Sequence, residues 1–192
     1  MKPPTHLPIT TFEEPIGIDT RFCLPEPVHL VLDKKSRSWS GNDFKVKDAD
    51  GRVLLACEGK ANLALTKIIS DAQGAEVYTV DTNPSSSSRR TTIHTRQGKD
   101  VGLIYWDYNS LKVSYKLKGT FVDQTTHDTK TLELRGKLSQ RAQVFFDNEV
   151  VAEVWKAKWL TCDLQIEVAP NVDYALIAII CISFVDLVNL QM

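Results

Sequence analysis

Along most of this chain, apolar residues return at every second position in short runs. Leu132 and Leu134 alternate with Glu133 and Arg135, and Leu111, Val113, Tyr115 and Leu117 alternate with Lys112, Ser114, Lys116 and Lys118. A period of two marks a strand with one face buried and the other wet. On this pattern strands are predicted at 28–32, 44–47, 52–57, 67–70, 75–80, 91–95, 101–106, 111–118, 131–138, 143–146, 149–155 and 163–168. Turn residues stand between them. Asp48-Ala49-Asp50-Gly51 and Asp71-Ala72-Gln73-Gly74 repeat one device, an aspartate that caps the turn and a glycine free to take positive φ. Gln97-Gly98 and Asp147-Asn148 mark two more turns, and the serine-rich stretch 83–90 is a solvated loop. Strands at this spacing predict an antiparallel sandwich or barrel.

The pattern changes at the C-terminus. From Tyr174 to Val185 only Ser183 is polar. Pro170 cannot continue a ladder, Asn171 is predicted to cap the first helical turn, and Asp173 suits the positive end of the helix dipole. A helix apolar on all sides must be buried, in lipid or in protein. A membrane span needs about 20 apolar residues and usually a basic flank. Here the run stops at Asp186, and Asn189 and Gln191 follow. A helix over 171–190, buried inside the β structure, is therefore predicted. At 1.5 Å per residue its 172–190 part would reach about 28 Å, a length that suits the bore of a barrel. Short antiparallel strands expose two edges unless the sheet closes, and a dozen strands leave room for a helix. The expected fold is mainly β: a closed antiparallel barrel of about twelve strands around a central hydrophobic C-terminal α-helix. One domain is expected over 21–192, after an extended tail over 1–20 with little to bury.

Composition narrows the function. The 192 residues suit one domain, and a net charge of −1 argues against a general nucleic-acid binder. Cys23, Cys57, Cys162 and Cys181 are widely spaced, with no C-x-x-C pair, so neither a disulfide framework nor a zinc site is expected. Cys181 reads as a small hydrophobe within the helix. With no apolar leader near the N-terminus, a reducing cytoplasmic or nuclear setting is expected. No nucleophile elbow, zinc-protease motif or phosphate loop occurs, so no enzyme activity and no cofactor are expected. Asp123, His127 and Asp128 form a polar cluster that reads as a solvated hairpin tip rather than a cation site.

The stronger lead is a basic face. Lys112, Lys116 and Lys118 share the outer side of one predicted strand, and Arg135 and Lys137 share that of another. If the strands are neighbours, five cations meet. Near an anionic membrane each is worth about 1 kcal/mol. The competing expectation is that outward lysines only keep the barrel soluble.

Three stretches resemble a known family. Phe22-Cys23-Leu24-Pro25-Glu26-Pro27-Val28 resembles the opening strand of LURP-one-related proteins. Residues 42–51, with Phe44, Val46, Asp48 and Gly51, resemble their first hairpin, and Pro170-Asn171-Val172-Asp173-Tyr174-Ala175 resembles the start of their C-terminal helix. The likeness runs over about 20–190. It implies the Tubby C-terminal-like superfamily, alongside tubby and the phospholipid scramblases, and hence a twelve-stranded barrel on a central helix. By analogy with tubby it implies phosphoinositide or other acidic-lipid binding, and a signalling or defence role. The expected protein is a monomeric, membrane-proximal binding module, peripheral at a membrane, that takes acidic head groups or a protein partner. A scramblase-like membrane protein and a lipid-free interaction scaffold are the alternatives.

Overall fold

In the computed structural model, which describes residues 7–34, 43–60, 65–83, 90–106, 115–136, 141–156 and 163–189, twelve antiparallel strands close into one barrel. They are β1 (Val28–Lys34), β2 (Phe44–Asp48), β3 (Val53–Gly59), β4 (Leu65–Asp71), β5 (Glu76–Asn83), β6 (Arg90–Thr95), β7 (Asp100–Trp106), β8 (Tyr115–Val122), β9 (Thr129–Gly136), β10 (Arg141–Phe146), β11 (Glu149–Lys156) and β12 (Leu164–Val168). Each pairs with its sequence neighbours, and β1 closes on β12 through pairs such as Leu30 with Ile166. Closure leaves no free sheet edge. Every predicted strand is present. β8 follows its predicted alternation from Tyr115, and the 111–114 part of that pattern lies outside the described residues.

The turns explain the hairpins. Gly51, Gly74 and Gly98 have φ near +80° and donate their N–H groups to the carbonyls of Asp48, Asp71 and Thr95. The Asp48 and Asp71 carboxylates also accept backbone N–H groups within their own turns. The Thr95 turn is thus a third copy of the device that the sequence shows twice.

α1 (Tyr174–Asn189) runs down the bore. No residue from Tyr174 to Val185 is more than 9% exposed. Burying each leucine or isoleucine contributes about 1.5–3 kcal/mol, so the helix supplies much of the core. β8 makes room for it at Gly119, where a Cβ would stand 3.3 Å from Ile180 Cδ1. The helix begins later than predicted. Asn171 is not its cap: with φ +60° it turns the chain from β12 into the bore and donates Nδ2 to the Phe12 carbonyl. The cap is Asp173, whose Oδ1 accepts the Leu176 N–H at 2.9 Å. Sixteen residues give a helix of about 24 Å. Among the described residues no helix is long and apolar enough to cross a membrane.

The two ends of the barrel differ. At the upper end, where α1 starts, the strands join through short turns. At the lower end, where α1 finishes, the connections lie outside the described residues. The N-terminal stretch, expected to bury little, closes the upper end. Ile16, Ile18 and Phe22 are buried there, and Ile16 bridges to Val172 and Cys23 to Asp173. Further out, Ile9 pairs alongside Val150, and Phe12 meets Phe146 edge to face. Apolar residues spaced by prolines and glycines carry no period, so the sequence pattern did not reveal this packing.

Candidate functional site

The sequence points to the outer wall of β8 and β9, and the register brings those strands together with Lys116 opposite Arg135 and Lys118 opposite Glu133. Alternation sends Leu117, Leu132 and Leu134 into the core, which leaves the charged residues outside. Three of the five predicted cations meet there. Lys116 Nζ lies 3.2 Å and Lys118 Nζ 3.5 Å from Glu133, and the Arg135 guanidinium forks onto the same carboxylate at 2.9 and 2.5 Å. Arg135 also stacks 4.5 Å from the Phe145 ring centroid. Lys112 and Lys137 lie outside the described residues.

Glu133 is not among the predicted site residues, although its parity with Arg135 puts it on this face. Burial raises its proton affinity, but Arg135 and Lys116 outweigh that and hold its pKa below the ordinary value. Among the described residues the face therefore presents three cations around one firmly ionised carboxylate. An anion approaching it meets donors already aligned and one carboxylate that competes for them.

The bore offers no such place. α1 fills it, and several buried polar side chains inside pair with one another, while among the described residues the Tyr78 hydroxyl is buried without a hydrogen-bond partner. Lys67, only 4% exposed, reaches across from β4 to pair with Asp186 in the last turns of α1. Burial raises the Asp186 pKa, against the pull of Lys67 and Lys34. The sequence carried the signal: Lys67 shares parity with buried Ile69. Thr82 and Thr91 hydroxyls pair at 3.0 Å.

The Asp123 cluster resolves into separate parts. His127 and Asp128 are exposed at the β8–β9 turn, as expected of a hairpin tip. Asp123 is not at a solvated tip: it is fully buried and takes N–H groups from Gly17, Thr125 and Thr126, with Lys130 Nζ at 3.3 Å. Burial works against its charge, but these donors prevail and lower its pKa. Its oxygens are committed to the fold, and no three His, Cys, Asp or Glu residues among those described are grouped to hold a metal. Asp173 works beside it. Its Oδ2 accepts the Ile18 and Asp19 N–H groups at 3.1 Å each, and burial pushes its pKa up to about 6 against three backbone hydrogen bonds. Gly17 passes so close that a Cβ would stand 2.1 Å from Asp173 Cβ.

A closed twelve-stranded barrel filled by its own C-terminal helix defines the class of fold. The chain belongs to the LURP-one-related family, whose model matches residues 28–185. It is 24% identical over 184 residues to protein LURP-one-related 15 of Arabidopsis thaliana, covering 89% of this chain and 85% of that one. It is also 24% identical over 184 residues to protein LURP-one-related 14 of the same plant, covering 88% and 89%. An X-ray structure of an Arabidopsis thaliana protein shares the fold with a TM-score of 0.62 at 20% identity, over 90% of this chain and 97% of that one. The family and barrel expected from the three sequence stretches are the ones found.

Proposed function

We propose that this protein is a non-enzymatic, membrane-proximal binding module that takes acidic phospholipid head groups, phosphoinositides among them, on the outer face of β8 and β9. One observation carries the reading: Lys116, Lys118 and Arg135 converge on the Glu133 carboxylate. A phosphate can replace that carboxylate in the same fork of donors, and Arg suits bidentate contact with either. The filled bore supports it further, since a substrate cavity inside the barrel would have to displace α1. The scramblase-like alternative requires α1 to leave the barrel and take its core with it, which weighs against it.

Sedimentation with phosphatidylcholine vesicles, with and without phosphoinositide, across a salt series tests the proposal. Binding should require the acidic lipid and fade with salt. Arg135→Gln should weaken it about fivefold, and Glu133→Gln should tighten it by a similar factor, at about 1 kcal/mol per charge. No binding at low salt would overturn the lipid reading and leave a protein partner as the ligand to seek.

A further inference from the structure

The near-zero net charge of the chain hides a separation of charge along the barrel axis. The turns at the upper end carry Asp50, Asp71, Asp100, Asp128, Asp147 and Glu149. Their basic companions are fewer, and two of them, Arg21 and Arg52, are held by Asp19 and by Asp48 and Asp50. At the lower end the strands finish on cations instead: Lys34, Lys45, Lys60, Arg90, Arg141 and Lys156. Acids stand there too: Asp33 pairs with Lys47, Asp43 accepts the Gly59 N–H, Glu153 pairs with Arg141, and Glu58, Asp81 and Asp163 add three more. The upper aspartates serve turn geometry, but their charge remains whatever its origin.

We propose that the barrel docks end-on, with its basic lower rim against an anionic membrane and its acidic turns pointing away. This rests on the lipid reading above and extends it from one face to the whole molecule. Lys116 and Arg135 sit toward the lower ends of β8 and β9, so the face already described runs into the rim. Next to it Trp155, the penultimate residue of β11, lies between Arg141, 5.4 Å from its ring centroid, and His29, 5.7 Å ring to ring. A partly exposed tryptophan beside the Arg141 guanidinium suits the head-group layer, where one part of the ring is wet and the other apolar. Seven-residue strands tilted as barrels require separate the ends by about 17 Å, or two Debye lengths at physiological salt. The acidic turns are then screened from the lipid only if the lower end faces it.

Two exposed pairs separate the orientations. Affinity of the full chain for phosphatidylcholine vesicles containing phosphatidylserine is measured at physiological ionic strength, with thermal melting as the check on folding. Arg141→Gln with Lys156→Gln should weaken binding by about 25-fold, at about fivefold per cation. Asp50→Asn with Asp147→Asn should change it by less than about twofold. Tightening of fivefold or more by the upper pair would overturn the orientation. So would an unaffected lower pair beside a sensitive Lys116 and Arg135, which would mean side-on docking with the lipid reading intact. No binding by the parent protein overturns both proposals.

Discussion

The upper and lower ends of α1 are anchored by carboxylates of the same kind in opposite ways. Asp173 at the top is satisfied by backbone N–H groups of Ile18, Asp19 and Leu176, while Asp186 at the bottom is met by the side chain of Lys67. Backbone donors sit where the chain path puts them, so the upper anchor is tied to the position of the N-terminal stretch. A side-chain donor can be exchanged together with its acceptor. Buried ion pairs often give way to apolar residues of similar size at little cost, whereas removing one partner costs about 3–5 kcal/mol. Equal burial does not mean equal replaceability.

Removing both anchors at once should have the largest effect. A chain ending at Pro170 should not fold, because the bore loses every side chain of α1; circular dichroism should show no cooperative melt. A folded, soluble product would show that the barrel does not depend on the helix. At the upper end alone, Gly17→Ala should cost about 3 kcal/mol or more, since its Cβ has no room beside Asp173, and should expose the Ile16 to Phe22 stretch to proteolysis. Unchanged cleavage would mean that the close approach relaxes cheaply.

At the lower end, Lys67→Met should destabilise by about 3 kcal/mol, and adding Asp186→Leu should recover most of it, read from denaturant unfolding. A double variant as unstable as the single would show that the pair is as position-bound as Asp173. The smallest effect concerns pH. The Asp173 pKa near 6 stands above its unfolded value of about 3.9, so the folded state holds more protons between those values. Its contribution is therefore complete below about pH 4 and lost as pH rises through 6. The stability advantage of the parent over Asp173→Asn should grow by about 2–3 kcal/mol as pH falls from 7 to 4. A flat difference would show that the three backbone donors, not burial, govern this carboxylate.

Much of the barrel was legible in the sequence because its parts are local. Alternation at Leu117, Leu132 and Leu134 fixed which faces turn inward, and the Asp48 and Asp71 turns marked where strands reverse. The face of Lys116, Lys118 and Arg135 followed from the same parity. What escaped were contacts between residues far apart in sequence. Ile18 meets Asp173 across 155 positions, and nothing in the proline-spaced N-terminus announces it. Asn171 looked like a cap because capping and left-handed turning favour the same residue types. Glu133 was visible as an outward residue, but its hold on three cations depends on rotamers that parity does not encode.

The claim on which everything else stands is that α1 is the barrel's core. Amide hydrogen exchange of the intact protein tests it directly. The account predicts that the amides of Ile177 to Val185 are among the slowest in the molecule, opening only with global unfolding, at the same rate as inward strand residues such as Leu134 and Ile166. Exchange in α1 that is orders of magnitude faster than in those strands would mean that the helix leaves the bore while the barrel stands, and would contradict it.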